Sequence, residues 1–253
     1  MKISIITATW QCADTVGDCL ASVARQTHAD REHIVIDGAS PDGTLAVLEA
    51  HRPQLAALVS EPDSGLYHAL NKGLALATGE VVGFLHGDDV YADETVLARI
   101  AAAFADPGEG GAVEAVYGDL DYVSRTDPGR VVRHWRSCAF QPDLLRRGWM
   151  PPHPTLYLRR ALYERQGVFD TRYRIAADYD LVLRVLSRLE GRAVYLPQVL
   201  VRMRLGGTSN RSPAEIARKT WEDYQALRRH GLGGPGALAW KNLSKLSQFW
   251  QRG

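Results

Sequence analysis

Short apolar runs alternate with helical patterns through the first 106 residues, and this alternation limits the possible folds more than any other feature. Apolar strands are predicted at 2–7, 33–37, 55–60 and 81–85. Segments with helical spacing follow them at 14–25, 44–51, 66–77 and 93–104. Four successive strand–helix units predict an α/β protein with a mostly parallel sheet and helices on both faces, because such crossovers are right-handed.

The pattern changes after Pro107. Short, hairpin-connected strands are predicted at 115–117, 120–124 and 131–135, and two more strands at 193–196 and 199–205. Helices are predicted at 178–189, 212–230 and 235–251. We therefore expect one α/β domain over 1–210, with a first half (1–106) and a second half (107–210), followed by a C-terminal helical extension (211–253).

The composition is that of an ordinary soluble domain. Of 253 residues, 45% are hydrophobic and 23% are charged. No apolar run approaches the roughly 18 residues of a membrane-spanning helix, and the N-terminal residues lack the features of a signal peptide. These features predict a protein in the cytoplasm or on the inner face of a membrane. The three cysteines form no metal-spaced cluster and are expected to be small apolar side chains.

The distribution of charge is uneven. The net charge of +1 excludes the basic surface of a general nucleic-acid-binding protein, but residues 211–253 contain eight basic and three acidic residues. Within 235–251, apolar residues recur at near-helical spacing while Lys241 and Lys245 occupy other faces. This helix is predicted either to lie in a membrane interface or to pack on the protein's own core or a second subunit. The sequence leaves the oligomeric state open.

Polar residues follow all four strands of the first half. In an open parallel sheet, ligands bind at the carboxyl ends of the strands. Those ends carry the segments 7–10, 37–38, 61–65 and 86–89. Four polar loops at one edge of a sheet predict a ligand site there, since a scaffold loop does not need repeated carboxylates.

Asp88 and Asp89 directly follow the most apolar strand. Two adjacent carboxylates repel each other unless a cation lies between them and a ligand. Hard oxygen ligands favour Mg²⁺ or Mn²⁺, and such an ion commonly shares its coordination shell with substrate phosphates. The alternative is that both acids cap the helix predicted at 93–104.

Four further features have both a functional and a structural interpretation. Asp178, at a helix start, is either a general base for a hydroxyl group or a capping acid. Trp10 either stacks on a nucleobase or belongs to the scaffold. Arg204 precedes a glycine pair and could face phosphates. His153, beside Trp149, either lines an acceptor pocket or is structural.

Taken together, these segments resemble the family 2 glycosyltransferases of GT-A fold over essentially the whole chain. The resemblance is carried by the runs 5–10, 36–44, 60–73, 85–89, 148–155 and 175–181. The last two runs, with 203–210, look like a subgroup that builds bacterial surface polysaccharides. His86 departs from the family, since many members have the first Asp of a DXD motif there. Ala177 stands where many have Glu.

The resemblance implies a metal-dependent, inverting glycosyltransferase that uses Mn²⁺ or Mg²⁺. It moves a sugar from a nucleotide-sugar donor, usually a UDP-sugar, to a glycan acceptor that is expected to be lipid-linked. The first half then binds the nucleotide and the second half the acceptor. Rival interpretations are a sugar nucleotidyltransferase and a non-catalytic sugar-nucleotide-binding subunit.

The expected site residues follow position by position from the resemblance. Asp178 is the predicted catalytic base, and Asp88 with Asp89 is the predicted metal site. Trp149 and His153 are predicted to contact the acceptor. The predicted nucleotide-binding residues are Thr7, Trp10, Asp37, Asp63, Lys72, Gly87, Asp88 and Arg204.

Overall fold

The computed structural model describes residues 1–206 and 213–244. The described strands are β1 (Ile3–Thr9), β2 (Arg31–Asp37), β3 (Ala57–Ser60), β4 (Val81–Phe84), β5 (Asp89–Tyr91), β6 (Val113–Val123), β7 (Val131–Trp135), β8 (Tyr157–Arg159) and β9 (Arg192–Arg204). The described helices are α1 (Val16–Ala24), α2 (Thr44–Ala50), α3 (Leu66–Leu76), α4 (Val96–Phe104), α5 (Pro142–Arg146), α6 (Arg160–Gln166), α7 (Ala177–Leu186), α8 (Pro213–Arg229) and α9 (Pro235–Ser244).

One mixed sheet joins both halves of the chain in the order β3-β2-β1-β4-β8-β6-β9-β5, with β7 paired to β6. The four strands predicted in the first half are parallel to one another. β8 then runs antiparallel to β4 on one side and to β6 on the other. The strand order reverses beside β1, which has β2 on one edge and β4 on the other. Such a reversal opens a crevice at the carboxyl ends of the strands, where ligands bind.

The central strand β1 is buried on both faces, as its apolar sequence indicates. Ile6 contributes to a core cluster shared with α3, α6, α7 and α8, whereas Ile5 contributes to one on the opposite face with α1 and α4. Helices therefore cover both faces, as predicted. Cys12 and Cys19 are buried, as expected of small apolar side chains, while Cys138 is exposed.

Two long strands replace four of the five short ones predicted in the second half. β6 and β9 continue through residues 118–119 and 197–198, where the sequence indicated breaks. The register between them shifts at these points, so bulges absorb the irregular residues without ending the strands. The predicted hairpin is confirmed for β6 and β7, which are antiparallel. β6 and β9 are parallel.

The sequence prediction missed several short elements, namely β5, β8, α5 and α6. The two strands have three residues each, too few for a periodic pattern to show. The helix predicted from Asp93 begins only at Val96, because the carboxylate of Asp93 accepts bonds from the backbone N–H and hydroxyl of Thr95 at 2.8 and 2.7 Å. These bonds form a turn ahead of the helix.

The C-terminal helices pack on the protein's own core. Leu227 of α8 is fully buried, and Leu238 of α9 packs against the same cluster. Lys241, which the sequence places off the apolar face of this helix, is only 3% exposed; its Nζ lies 2.8 Å from Asp223 and over the ring of Tyr179. Core packing, the alternative to a membrane interface, is therefore the arrangement of this part of the predicted 235–251 helix.

The rest of that helix lies outside the described residues, including Lys245, Leu246, Phe249 and Trp250. Within the ranges that the structure describes, no helix has both the length and the apolar character needed to cross a membrane.

Candidate active site

Trp10 forms an exposed aromatic surface at the carboxyl end of β1. Its side chain is 58% exposed, and a Cβ atom on Gly38 would lie 3.1 Å from its ring carbon Cε3. The loops after β1 and β2 each contain a residue with left-handed backbone, Gln11 (φ 50°) and Ala39 (φ 62°). The Gln11 N–H donates to Ser40 Oγ at 3.0 Å. Left-handed backbone at non-glycine residues is uncommon and clusters at ligand sites. The backbone that carries the Trp10 ring is thus constrained, and the exposed ring can stack on a planar ligand.

Asp37 is fully buried behind this surface. Its carboxylate accepts bonds from Thr9 Oγ1 (3.0 Å), Ser60 Oγ (2.7 Å), and the hydroxyl and backbone N–H of Ser40 (2.6 and 3.0 Å). Burial raises the pKa of this carboxyl, but the bonds from Ser40 and Ser60 outweigh it and hold the pKa below its ordinary value. Four donors occupy the four accepting positions of a carboxylate. Direct contact with a base, as the resemblance implies, requires one serine hydroxyl to turn away.

Thr7 was predicted to contact the nucleotide, but the structure encloses it completely. Its Oγ1 lies 2.8 Å from Nε2 of the buried His33. The residue therefore has no open face toward a ligand. The polar run after β1 misled the prediction, since Thr7 still lies inside the strand and the exposed part of the run begins at Trp10.

Lys72 and Asp63 were both predicted in the nucleotide site, and the structure pairs them with each other. Lys72, from α3, forms an ion pair with Asp63 and lies 2.7 Å from Glu61. The hydrogen bonds that Lys72 donates to Asp63 and Glu61 raise the pKa of the lysine. The lysine charge is thus used to hold the loop after β3, and in this arrangement it does not point a free cation at a phosphate.

Gly87 brings the loop after β4 into close contact with the loop after β1. A Cβ atom at this position would lie 2.9 Å from Cys12 Sγ and 3.0 Å from Thr9 Cγ2. The carbonyl of Gly87 also accepts a bond from Thr15 Oγ1 at 3.2 Å. A side chain at Gly87 would push the loops apart, so the residue supports the site by its backbone and places Asp88 at the crevice.

The two adjacent acids occupy different environments. Asp88 is half-buried, whereas Asp89 begins β5 and is 1% exposed. Burial together with the charge of Asp88 raises the pKa of Asp89 well above its usual value, against an opposing effect of Arg204. Asp88 is the more exposed carboxylate of the predicted pair, so it is the one that an ion in the crevice would reach first.

The donor set at Asp88 is small. The described residues contain no group of three or more His, Cys, Asp or Glu side chains able to hold an ion. Mg²⁺ commonly takes one or two carboxylates and completes its shell with water and substrate phosphates. Asp88 therefore fits a metal that binds together with a nucleotide diphosphate, and it does not fit a metal held by the protein alone.

Arg204 was predicted to contact the nucleotide, but the structure shows it in other contacts. It is 3% exposed; its Nη1 donates to the backbone carbonyl of Asp88 at 3.0 Å, and its Nη2 forms an ion pair with Asp18. In this arrangement the guanidinium acts from behind the loop, where it fixes the backbone of Asp88. Burial leaves it no open face toward phosphates.

Asp178 lies in the first turn of α7 and is half-buried. Its Oδ1 accepts bonds from the Tyr67 hydroxyl at 3.3 Å and from the backbone N–H of Tyr179 at 2.8 Å. A helix N-terminus stabilises the charged carboxylate, which suits a general base. Asp180 is different: it is 1% exposed and lies 2.8 Å from His230 Nε2, so it is a structural acid.

His153 is 7% exposed and stacks on the ring of Phe84 at 5.6 Å between centroids. Neither ring nitrogen has a hydrogen-bond partner among the described residues. Burial lowers its pKa to about 4, against an opposing contribution from Asp178. The imidazole is therefore neutral at pH 7 and can offer one donor and one acceptor to a ligand. Trp149 is partly buried and packs edge-on against Tyr117 at 5.7 Å.

The chain is similar in sequence to known proteins. Residues 4–167 match the family model described as Glycosyl transferase family 2. A PGL/p-HBAD biosynthesis glycosyltransferase of Mycobacterium bovis is 36% identical over 187 residues, which are 73% of this chain and 69% of that protein. The chain belongs to glycosyltransferase family 2.

Solved structures confirm the GT-A fold of this family 2 glycosyltransferase. S. aureus TarS 1–349, in complex with UDP-GlcNAc, superposes with a TM-score of 0.70 at 21% identity, covering 91% of this chain and 65% of that one. The mannosyltransferase PcManGT of Pyrobaculum calidifontis, in complex with GDP-Man and Mn²⁺, gives a TM-score of 0.65 at 22% identity, covering 99% and 76%. The TarS structure therefore extends well beyond the length of this chain.

Two residues near the predicted base were missed in the sequence. Tyr67 lies in the run 60–73 that carries the family resemblance, but its hydroxyl has a partner more than 100 residues away. Glu222 of α8 accepts three backbone N–H groups just before α7. Nothing in the local pattern of either residue marks these contacts, because both depend on how distant segments pack.

Proposed function

We propose that this family 2 glycosyltransferase is a metal-dependent, inverting enzyme that transfers a sugar from a UDP-sugar to a lipid-linked glycan acceptor. One observation carries this proposal: Tyr67, in the first turn of α3 at the carboxyl edge of the sheet where Asp88 lies, places its hydroxyl 3.3 Å from Oδ1 of Asp178 in the second half. The candidate metal ligand and the candidate base thus border one crevice.

On the donor side, Trp10 stacks on the base and the loop held by Asp37 closes the edge of the pocket. Asp88 would hold Mn²⁺ or Mg²⁺ together with the diphosphate. The bound ion supplies Lewis-acid stabilisation of the charge on the departing nucleoside diphosphate. The structures of TarS in complex with UDP-GlcNAc and of PcManGT in complex with GDP-Man and Mn²⁺ support this side of the proposal.

On the acceptor side, Asp178 takes the proton of the acceptor hydroxyl as its oxygen attacks the anomeric carbon. The new bond forms on the face opposite the leaving group. The bond from the anomeric carbon to the phosphate oxygen breaks, and its electrons leave with the nucleoside diphosphate. A single displacement of this kind inverts the configuration. His153, and Trp149 beside it, contact the acceptor, which satisfies the two buried ring nitrogens of the histidine.

The acceptor class rests on similarity and charge. A 36% identical relative is named for PGL/p-HBAD biosynthesis, which supports a glycan of the bacterial surface. The basic C-terminal extension suits contact with the inner face of the cell membrane, where lipid-linked acceptors are found. Because part of α9 packs on the core, any membrane contact is limited to the outer face of α9, where Trp240 is 55% exposed, and to the residues that follow α9.

A thermal-shift panel of nucleotide sugars, with and without Mn²⁺, tests the donor assignment. Bound donor stabilises the folded state by mass action, so UDP-sugars should raise the melting temperature only when the metal is present. An equal shift with every nucleotide, or one that survives EDTA, would contradict the proposal.

Two reactions separate the rival functions. A sugar nucleotidyltransferase would release pyrophosphate from a sugar phosphate and a nucleoside triphosphate. A non-catalytic binding subunit would bind the donor without hydrolysing it. We expect no pyrophosphate and slow release of UDP from the donor.

A further inference from the structure

We propose that Glu222, on helix α8 of the C-terminal extension, is a positioning residue for the catalytic base. This inference rests on the proposed role of Asp178. Both residues lie beyond the segment 4–167 that matches the family model. Helix α8, which lies in the predicted C-terminal extension, would thus belong to the active site.

The Glu222 carboxylate is buried, with 7% of the residue exposed. It accepts the backbone N–H groups of Arg174 (3.2 Å), Ile175 (2.8 Å) and Ala176 (2.9 Å). These groups belong to the turn that leads into α7, and Asp178 is the second residue of that helix. Hydrogen bonds to an ionised acceptor are stronger than neutral ones. One side chain of α8 therefore holds three consecutive peptide units ahead of the base.

The same turn is held from the other side by Tyr67. Its hydroxyl lies 2.6 Å from the carbonyl oxygen of Ile175 and 3.3 Å from Oδ1 of Asp178. Ile175 thus has its N–H bound to α8 and its carbonyl bound to α3. This double anchor restricts rotation of the turn and leaves the Asp178 side chain directed at the crevice.

Helix α8 is itself attached to α7 at two further points. His230, just after α8, lies 2.8 Å from Asp180. Asp223 pairs with Lys241, whose Nζ lies 3.1 Å from the centre of the Tyr179 ring. These contacts keep the helices together even when one of them is removed. Loss of Glu222 should therefore loosen the turn without unfolding the domain, and a misplacement of about 1 Å is enough to cost about a hundredfold in rate.

The test uses full-length protein and follows UDP release with water as the acceptor. The probe is the UDP-sugar that gives the largest thermal shift with Mn²⁺. We expect Glu222→Ala to lower the rate of UDP release about a hundredfold, with UDP affinity within about twofold of the parent. Glu222→Gln keeps an accepting oxygen and should recover part of the rate. Glu49→Gln removes an exposed carboxylate from α2 and is the matched control, expected to match the parent.

A double-mutant cycle separates positioning from general stability. Tyr67→Phe removes the second anchor of Ile175, so its effect on the rate should be non-additive with that of Glu222→Gln. The inference is overturned if the folded Glu222→Gln and Glu222→Ala proteins keep the parental rate. It is also overturned if UDP affinity falls in parallel with the rate, or if the two effects simply add.

A further variant makes failure of the proposed function recognisable. If Asp178→Asn keeps the parental rate of UDP release, the base assignment fails whatever the Glu222 variants do. If Asp178→Asn is inactive while both Glu222 variants stay fully active, the base stands and only the positioning role is wrong.

Discussion

The two halves of the domain build their parts of the site in different ways. In the first half, Trp10 directly follows β1 and Asp88 lies in the loop after β4, and neighbouring loops hold them. In the second half, Asp178 depends on Tyr67 from α3 and, through the turn before it, on Glu222 from α8. The donor side is thus set mainly by loops that follow neighbouring strands, with Arg204 of β9 fixing the backbone of Asp88, whereas the base is set by contacts with α3 and α8. Substitutions in the first half should therefore affect donor binding, and substitutions in the second half should affect turnover.

The largest expected effect comes from Asp88→Asn, which weakens the candidate metal ligand. Loss of several kcal/mol of charge stabilisation corresponds to a fall in transfer on the order of a thousandfold. Binding of UDP in the presence of Mn²⁺ should weaken as well, because Asp88 acts through the diphosphate. Calorimetry and a transfer assay measure the two effects. Full activity of the parent enzyme in EDTA would remove the metal from the account.

Asp178→Asn should lower turnover by at least about a hundredfold, the usual contribution of a general base. Donor affinity should barely change, since the residue acts on the acceptor. Steady-state kinetics and calorimetry with UDP and Mn²⁺ measure the two quantities. Asp180→Asn is the matched control for loss of an acid at the helix start. It should lower the melting temperature and have only a small effect on the rate. If donor binding collapses in Asp178→Asn, the comparison between the halves fails.

Buried histidines make both halves sensitive to acid. Burial, with a smaller contribution from Arg31, lowers the pKa of His33 to about 3. The folded state then binds fewer protons than the unfolded state between pH 3 and 6.5. The contribution of His33 to the free energy of unfolding is therefore fully present above pH 6.5 and is lost as the pH falls toward 3. Acidification from pH 7 to pH 5 should cost about 2 kcal/mol at this residue.

His33→Gln should reduce that loss, because glutamine can still bond Thr7 and does not titrate. Urea unfolding at pH 7 and pH 5 measures the free energy of unfolding in each protein. His51→Gln, at a half-buried position after α2, serves as the control. An identical pH dependence in His33→Gln and the parent would show that another group causes the acid sensitivity.

The smallest expected effect is that of Trp10→Ala. Stacking of a base on an aromatic ring is generally worth 1–3 kcal/mol, so UDP affinity should fall by roughly 1 kcal/mol or more. The melting temperature without ligand should not change, because the ring is largely exposed. Trp221→Ala removes a tryptophan with 59% exposure on α8 and should leave UDP affinity unaltered. Equal affinities in Trp10→Ala and the parent would return Trp10 to the scaffold.

The difference between the halves also explains how much the sequence could predict. The strand–helix pattern of the first half predicted its parallel sheet and helices, and the polar loops that end those strands do lie at one edge. Thr7 and Arg204 show where such reasoning fails, since residue type and position cannot tell an exposed polar side chain from a buried one. The extent of burial is a property of the assembled sheet.

In the second half the sequence gives less. Bulges within β6 and β9 resemble strand ends, and strands as short as β5 and β8 have no detectable period. The family resemblance led to Asp178, but its support by Tyr67 and Glu222 has no local signal. The sequence placed Lys241 off the apolar face of its helix and left core packing open, and it did not mark the contacts with Asp223 and Tyr179 that bury this lysine.

The central claim is that the metal and nucleotide belong to the first half and the base to the second. Calorimetric titration of UDP with Mn²⁺ into the parent, Asp88→Asn and Asp178→Asn proteins tests it without knowledge of the acceptor. The account predicts equal, metal-dependent affinity for the parent and Asp178→Asn, and a large loss for Asp88→Asn. Unchanged affinity in Asp88→Asn, or a loss in Asp178→Asn comparable to it, would contradict the account.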